Sequence, residues 1–437
     1  MATTSQASRP SSGLARGAWL VVGLLWVVAL LNYLDRQVLI TMRDAIKGDI
    51  LVAGVPMTDA QFGLLSSMFL WIYGLVSPLG GYAADRFGRR PVIFVSLAAW
   101  SAVTWWTGHA SSYHELLVAR GLMGVSEACY IPAALALITD HHRDRTRSLA
   151  TGLHMSGLYA GVVLGGLGGY LATPGKTLLG IDLFIGWHKV FIGLGAIGIA
   201  YALALIFLLP KHEAPASGRV AGDAGYASLS AALLLLIKEG RFWLILGVFA
   251  LVSACNWSVL VWLPAFLKEQ FQLADGPAGL HATTWNTAAK FVAVLIGGAM
   301  SDWLARSNPR ARSLIPAVGL LIAAPGIALG TLTDLLTLGL CGFAMQGIAQ
   351  GFLDANMISI VRQITGPTVA ATGYGLLNLV GTLTGGVMAL IGGRLRDSGL
   401  GFETFFRISA AGLAVAALGL LLFRPGKQIS SDAHNRE

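Results

Sequence analysis

Charged residues and cysteine are both scarce in this sequence. Asp, Glu, Lys and Arg make up 12% of the 437 residues, about half of their share in an ordinary soluble protein. The three cysteines, Cys129, Cys255 and Cys341, fall inside apolar segments, without the spacing of a metal site and without a cysteine partner nearby. These shortages argue against a zinc site and a disulfide framework. Together with a mean hydropathy of +0.68, they predict a polytopic membrane protein.

The sequence also lacks the residue patterns of an enzyme and of a nucleic-acid-binding protein. An intramembrane enzyme would need a nucleophile with a base or a metal cluster, and His141-His142 lies in a basic loop without carboxylates at a matching spacing. The formal net charge is +8, but the basic residues occupy short connections between apolar runs, where they set orientation in the membrane. We therefore expect no enzyme activity, no metal, no bound cofactor and no nucleic-acid partner.

What the chain has in abundance is apolar runs of about 20 residues, the length that a helix needs to span a bilayer. We predict helices near 17–40, 61–84, 91–110, 114–139, 148–172, 188–209, 241–266, 279–301, 313–331, 335–360, 370–392 and 403–424. The predicted fold is an all-α membrane protein, a twelve-helix bundle of two pseudo-symmetric six-helix halves. Its domains are an N-terminal tail, a first half, a linker, a second half and a C-terminal tail, at 1–16, 17–209, 210–240, 241–424 and 425–437.

The distribution of basic residues predicts the orientation of the bundle. Lys and Arg concentrate on the side of the tails and the linker, which by the positive-inside rule places both termini in the cytoplasm. The apolar segment after the polar first 16 residues exceeds a signal-peptide core, so we expect it to remain as the first membrane helix. The expected location is the plasma membrane, a bacterial inner membrane, with the protein a monomer in the lipid bilayer.

The connection after the second predicted helix carries the string Gly-Tyr-Ala-Ala-Asp-Arg-Phe-Gly-Arg-Arg at 81–90. Its first glycine lets a neighbouring helix approach, its aspartate can cap or salt-bridge, and its arginines anchor the turn. An ordinary basic loop would need the arginines but not the glycines and the aspartate. A degenerate copy, Gly298-Ala299-Met300-Ser301-Asp302, occupies the same place in the second half. The predicted conformational latch consists of Gly81, Asp85, Arg86, Gly88, Arg89 and Asp302.

Ionisable residues inside predicted membrane helices are functional candidates, because a charge there is costly without a partner or a cavity. The first helix contains Asn32-Tyr33-Leu34-Asp35-Arg36. In the fourth helix, Arg120 and Glu127 are seven residues apart and share a face. Asp35 and Arg36 point about 100° apart and cannot simply pair with each other. The alternative to a functional site is a fixed salt-bridge cluster that locks the first helix to the fourth.

The second half contributes further polar residues, namely Asn256, Trp257, Trp285, Asn286, Lys290, Asp354 and Asn356. Lys290 lies midway along the eighth predicted helix, where it is either a second anion anchor or the partner of Asp354. In the fifth helix, His154 is expected to be a hydrogen-bonded core histidine rather than a proton carrier. A glycine stripe in the same helix, at 157, 161, 165 and 169, predicts close packing in either a static or a moving interface.

The loop string resembles the signature loop of the major facilitator superfamily. The motif at 32–36, the R-x-x-x-G-x-x-E at 120–127 followed by Pro132, and Gly375-Leu376-Leu377-Asn378 resemble the anion:cation symporter family of hexuronate and aldonate permeases. That resemblance implies proton-driven import of a small organic anion, a sugar acid, with protons as the coupling ion. It implies that Asp35 and Glu127 are protonation sites, and that the anion and coupling residues are Arg36 and Arg120.

The resemblance also implies that the substrate is hydrogen-bonded by Tyr33, Tyr73 and Asn378. With second-half residues added, the predicted substrate ring consists of Tyr33, Arg36, Tyr73, Asn256, Trp285, Asn286, Lys290 and Asn378. One departure is Leu158, which stands where aldonate porters have a glutamine. The chain also lacks the G-P-x-x-G-G of drug antiporters, since residues 165–169 read Gly-Gly-Leu-Gly-Gly.

A second resemblance provides the alternative function. Residues 120–128, together with Asn308-Pro309-Arg310-Ala311 and Ala317-Val318-Gly319, resemble spinster-type lysolipid transporters. A lysolipid would need an apolar slot for its tail, whereas a small acid needs a closed cavity ringed by hydrogen-bonding groups. Both substrate classes remain open at this point.

Overall fold

The computed structural model describes residues 12–142, 146–175, 177–210, 229–366 and 369–424. The predicted C-terminal tail and most of the predicted tail at 1–16 and linker at 210–240 lie outside the described residues. The helices of the first half are α1 (Ser12–Thr41), α2 (Arg43–Asp49), α3 (Asp59–Phe87), α4 (Arg89–Thr107), α5 (Tyr113–Glu127), α6 (Tyr130–His141), α7 (Arg147–Gly165), α8 (Gly168–Ala172) and α9 (Trp187–Leu208).

The second half begins with a helix that the sequence pattern did not predict, since it falls inside the polar linker. Its helices are α10 (Leu229–Lys238), α11 (Gly240–Gln270), α12 (Asp275–Ala305), α13 (Ala311–Gly330), α14 (Leu336–Thr365), α15 (Ala370–Asp397) and α16 (Phe402–Leu422). Two short hairpins, β1 (Leu51–Val52) with β2 (Val55–Pro56) and β3 (Thr177–Leu178) with β4 (Ile181–Asp182), interrupt the helical pattern in the first half.

Within the described ranges, eleven helical segments are long and apolar enough to cross a membrane. The twelfth membrane helix is α4, whose 19 residues start with Arg89 and Arg90 and are therefore less apolar on average. It packs against α5 and α9 inside the first half. The prediction of a twelve-helix, all-α membrane bundle is thus confirmed, with α5–α6 and α7–α8 each forming one broken span.

The break between α5 and α6 has a local cause. Pro132 lies in the first turn of α6, and without an N–H it cannot bond the carbonyl of Ala128. Helix α3 approaches at the same point, since a Cβ on Gly80 would lie 2.5 Å from the Ala128 oxygen. At Gly81, which the sequence pattern singled out for close approach, the nearest atom would lie 4.0 Å away, on Pro132. The close contact is therefore made one residue earlier than expected.

The two halves meet mainly at one end of the bundle, which we call the closed end. It contains α2, the two hairpins and the N-terminus of α3, whereas the linker end contains Ser12, Leu208, Gly240 and Leu422. Here α3 packs on α15: the Ser67 hydroxyl donates to the Gly386 carbonyl at 2.6 Å, and the Trp71 indole donates to the Leu383 carbonyl at 3.1 Å. Among the described residues, the hydrogen bonds that join the halves lie at this level or nearer to the closed end.

Charged contacts join the halves at the closed end. Lys268 of α11 lies 2.5 Å from Asp44 of α2, and the carboxylate of Asp397 in α15 accepts from the backbone N–H groups of Asp59 and Ala60 at 2.9 and 2.8 Å. Asp397 therefore caps the N-terminus of α3 from the opposite half, where the helix dipole favours a negative charge. Burial raises the pKa of Asp44, but nearby cations including Lys268 outweigh it and hold that pKa below its usual value. The stabilisation that ionised Asp44 gives to the closed end is therefore present at neutral pH and is lost as the pH falls through the lowered pKa.

We expect the Asp397→Ala variant to open the closed end more often. A helix cap is worth about 0.5–2 kcal/mol, so the fraction of molecules open at this end should rise about 2- to 30-fold. The measurement is the rate at which an impermeant maleimide labels a cysteine at Ser66, which is 7% exposed beneath the closed end, in a background without the native cysteines. Asp334→Ala is the control, because Asp334 bonds Gln270 within the second half. An unchanged labelling rate in Asp397→Ala would contradict the cross-half cap.

Candidate functional site

The centre of the candidate site is the carboxylate of Glu127, at the last residue of α5. A capping box formed by Ser112 and Glu115 starts α5, and the break before α6 ends it, so the helix presents Glu127 to α1. Glu127 is fully buried, and its Oε2 accepts from Asn32 Nδ2 at 2.9 Å and from Arg36 Nε at 2.6 Å. Asn32 and Arg36 are four residues apart and share a face of α1. One carboxylate thus ties α5 to two positions of α1.

Arg36 is enclosed by aromatic rings as well as by the carboxylate. Its Cζ lies 4.7 Å from the ring centroid of Tyr33, 4.6 Å from that of Phe69 and 4.8 Å from that of Tyr73. Phe69 and Tyr73 are stacked on each other at 5.7 Å, one turn apart on α3. A guanidinium over aromatic faces is stabilised by cation–π attraction, most strongly where water is excluded. The cage therefore fixes the guanidinium plane.

The other two ionisable residues of this cluster are not paired in the same way. Asp35 is 3% exposed, and its Oδ2 accepts from Thr104 of α4 at 3.1 Å, while its Oδ1 has no hydrogen-bond partner in the described part of the chain. Arg120 is 2% exposed, and its Nε and Nη2 have no hydrogen-bond partner among the described residues. Arg120 does share a face with Glu127 as predicted, but the carboxylate bonds Arg36 instead. Buried donors without partners are costly and suit a ligand with acceptor oxygens.

A cavity of about 30 Å³ lies between Arg36 and Arg120. That volume holds a water molecule rather than a sugar acid, so a larger ligand requires side chains to move. The second half closes it with an apolar wall of Trp257, Leu260 and Val261. First-half residues on the lining include Tyr33 and Gln37. The guanidinium groups of two helices therefore face one space between the halves.

The second half holds its own ion pair. Lys290 Nζ of α12 lies 3.1 Å from Asp354 Oδ2 of α14, and Gln350 donates to Asp354 Oδ1 at 2.8 Å. The sequence left two roles open for Lys290, a second anion anchor or a partner of Asp354. The structure shows the ion pair with Asp354. Of the second-half candidates, Trp257 lines the Arg36 cavity, whereas Asn256, Trp285, Asn286 and Asn378 are not among its lining residues.

Asn286 donates to the carbonyl of Phe343 at 2.8 Å and to Gln346 at 2.7 Å, so its amide joins α12 to α14. Trp285 is 47% exposed. Asn256 is partly buried and Asn378 is exposed. The substrate roles of Tyr33, Tyr73 and the second-half residues stay predictions.

The predicted latch residues lie at the linker end. Asp85 and Arg86 are exposed, whereas Arg89 pairs with Asp140 at the end of α6. In the second half, Asp302 pairs with Arg312 at 2.9 Å. Gly88 has a positive φ of 89° between α3 and α4, a conformation that favours glycine. The ion pairs made here lie within each half, so the latch role also stays a prediction.

The glycine stripe packs as the pattern predicted, and mostly within the first half. A Cβ on Gly157 would lie 2.6 Å from the Trp26 carbonyl, and one on Gly161 would overlap the Leu30 carbonyl, both on α1. Gly169 instead meets Asp275 of α12 in the other half. His154 is fully buried against Tyr130 and beside the backbone of Leu25, as expected of a core histidine, and its hydrogen bonding stays a prediction.

Several site residues were not predicted from the sequence. Phe69 and Thr104 lie on α3 and α4 and reach the cluster through the packing of those helices, for which the sequence contains no local signal. Asn32 could have been predicted, because it lies four residues before Arg36 and therefore shares a helix face with it. The tyrosines near Lys290, Tyr159 and Tyr374, were also missed. Buried tyrosines at helical spacing resemble ordinary core residues.

Ionisable residues buried around a space between two six-helix halves are the features of a secondary transporter. The chain belongs to the Major Facilitator Superfamily, whose model matches residues 25–387. It is accordingly a multi-pass membrane transporter and not an enzyme.

Individual proteins resemble the chain at low identity. The D-galactonate transporter of Escherichia coli O6:H1 is 27% identical over 429 residues, covering 93% of this chain and 95% of that protein. The rat protein spinster homolog 1 is 31% identical over 337 residues, covering 72% of this chain and 60% of that protein. A crystal structure of a bacterial homolog of the human lysosomal transporter Spinster, inward-facing and occupied, matches with a TM-score of 0.73 and 23% identity, covering 95% and 97% of the two chains. These findings agree with both resemblances in the sequence.

Proposed function

We propose that the protein imports a small organic anion, a sugar acid, together with protons. The observation that carries this proposal is Arg120, whose Nε and Nη2 have no hydrogen-bond partner among the described residues, beside the cavity that Arg36 also lines. Two guanidinium groups around one cavity fit a carboxylate, which each can bind with two parallel hydrogen bonds. The similarity to a D-galactonate transporter supports an acid of monosaccharide size.

The ion pair between Arg36 and Glu127 supplies a coupling device. A proton and a guanidinium compete for the same carboxylate, so protonation of Glu127 would release Arg36 for the substrate. Asp35, with one oxygen unpartnered, is the second proposed protonation site. Substrate and protons then bind together, because each removes the obstacle to the other.

Transport would follow from movement of the two halves. With the termini in the cytoplasm, as the basic residues predict, the linker end faces the cytoplasm of a bacterial inner membrane and the described state is closed to the outside. Loading from outside then requires the contacts of Lys268 and Asp397 to break. Rocking of the halves around the central site is the usual motion of such bundles.

The second candidate is a spinster-like lysolipid transporter. It is favoured by the apolar part of the cavity lining, with Leu39, Ile40, Leu70, Leu260 and Val261, which could contact an acyl chain. Against it stand the cations of the membrane helices, Arg36, Arg120 and Lys290, which reward a carboxylate and oppose burial of a hydrocarbon tail. The following experiment distinguishes this second candidate from the import of an organic anion.

We expect proteoliposomes to accumulate radiolabelled D-galactonate or a similar sugar acid saturably when the outside is more acidic than the lumen. Collapse of the pH gradient with an uncoupler should bring the internal concentration down to the external one. The Asp334→Asn variant, altered in an exposed loop, should behave as the unmodified protein. Movement of lysophospholipid without acid-stimulated uptake of any organic anion would overturn the proposal in favour of the second candidate.

A further inference from the structure

The transport mechanism proposed above gives no binding or coupling role to the ion pair of Lys290 and Asp354. Lys290 lies midway along α12, with the two side chains 18% and 31% exposed. Lipid does not solvate such charges, and charged residues in membrane helices almost always face a partner or a water-filled space. The partial exposure of the pair leaves the Lys290 ammonium accessible to a further partner.

Lys290 lies on α12, which packs against α7 of the first half. The next residue, Phe291, makes an edge-to-face contact with Tyr159 of α7 at 5.9 Å. The Lys290 ammonium also interacts electrostatically with the side chains of Tyr159 and Tyr33, and the ring of Tyr33 lies 4.7 Å from the Arg36 Cζ. Tyr33 therefore interacts with a cation of each half.

Asp354 can release Lys290 without losing all of its partners. Gln350 holds Oδ1 at 2.8 Å, whereas the ammonium lies 3.1 Å from Oδ2. An incoming anion that displaced Oδ2 would leave one hydrogen bond on Asp354, which limits the cost of the exchange. Tyr374 of α15 also interacts with the pair and brings a further hydroxyl to it. The site thus contains a cation that can exchange one carboxylate for another.

We infer that Lys290 binds a second anionic group of the transported acid, so that the preferred substrate is a dicarboxylic sugar acid. This inference rests on the proposed function, in which Arg36 and Arg120 hold the first carboxylate. A monocarboxylic acid occupies the first-half cations and leaves the second-half pair unchanged. A dicarboxylic acid would join a cation of each half through one molecule, and would therefore also favour closure of the halves around it.

The test compares D-galactonate with galactarate, which share a carbon skeleton and differ by one carboxylate. Binding of each acid to the purified full-length protein is measured by calorimetry. We expect galactarate to bind about tenfold more tightly, the difference that one charge-assisted hydrogen bond produces. Lys290→Gln should abolish that preference, so that galactarate loses about tenfold more affinity than galactonate does. The matched control is Lys238→Gln, at an exposed lysine at the end of α10.

Two further variants separate an anchor from a structural brace. The double variant with Lys290→Gln and Asp354→Asn leaves no unpaired charge, so it should fold and should also lack the preference. The charge-swapped variant with Lys290→Asp and Asp354→Lys keeps an ion pair. Return of the galactarate preference in the swapped variant would show a brace and overturn the inference.

The two proposals fail in different ways. If the unmodified protein bound both acids equally, and Lys290→Gln weakened both alike, the second anchor would be overturned while the organic-anion function stood. Binding of neither acid, nor of other organic acids in the same assay, would contradict the proposed function itself.

Discussion

Glu127→Gln is expected to abolish proton-driven accumulation of the substrate while exchange of substrate across the membrane continues. Glutamine has the shape of a protonated glutamate, and its carbonyl can still accept the hydrogen bond that Asn32 donates at 2.9 Å. It cannot form the ion pair with Arg36, whose Nη2 lies 2.5 Å from the native carboxylate. Arg36 is then available to the substrate at every pH, and binding no longer requires a proton.

The expected loss of accumulation is large because coupling depends on the charge of a single carboxylate, that of Glu127. An accumulation ratio that follows the pH gradient, about tenfold per pH unit for one proton, should fall to about one. Counterflow of labelled substrate, which needs no gradient, should persist. Glu115→Gln is the control on the same helix, since Glu115 caps the start of α5 at a partly exposed position. Undiminished accumulation by Glu127→Gln would remove Glu127 from the coupling mechanism.

Much of the bundle could be predicted from sequence because hydrocarbon imposes simple rules on a chain. A run of about 20 apolar residues must form a helix in lipid, which is why the twelve spans could be recognised. Helix α4 satisfies the rule less well, since Arg89 and Arg90 belong to its first turn. Helix α10 was missed for the opposite reason, because a short helix at the surface does not need the length of a membrane span.

The ionisable residues of the candidate site could be named from the sequence, but their pairing could not. Burial of a charge in a membrane helix identifies Asp35, Arg36, Arg120 and Glu127 one by one. Which cation bonds Glu127 depends on how α1 and α5 are rotated against each other. The break before Pro132 and the close packing of α7 on α1 at Gly161 help set that geometry. Such contacts are properties of helix pairs, and a single sequence contains no signal for them.

The same reasoning explains why the partner of Lys290 stayed open until the structure was known. Asp354 lies 64 positions later in the chain than Lys290, on another helix, and only the close approach of α14 to α12 brings them together. That approach depends on Gly347 and Gly351, where an added Cβ would meet the backbone of α12 at Asn286 and Lys290. Small residues permit this contact, but they do not indicate which side chains will meet.

Arg36→Lys is expected to weaken binding of the organic anion about 10- to 100-fold without unfolding the protein. Losing one hydrogen bond between charged groups costs about 1.5–3 kcal/mol, which corresponds to that range of affinity. Lysine keeps the positive charge, so the buried carboxylate of Glu127 still has a cationic partner. The fold is therefore not left with an unpaired buried charge. What lysine lacks is a planar fork that can bind a carboxylate with two parallel hydrogen bonds.

The aromatic cage makes this substitution a sharp test of what Arg36 does. A flat guanidinium can stack among Tyr33, Phe69 and Tyr73, at 4.6 to 4.8 Å from their ring centroids, whereas an ammonium on a flexible stem is not held in one plane. Calorimetric titration with the transported acid gives the affinity, and thermal unfolding without ligand reports the fold. Arg241→Lys, which alters a pair with Glu239 at the start of α11, is the control. If Arg36→Lys bound the acid normally but melted at a much lower temperature, Arg36 would be a structural link between α1 and α5, and the anion would have to be held by Arg120.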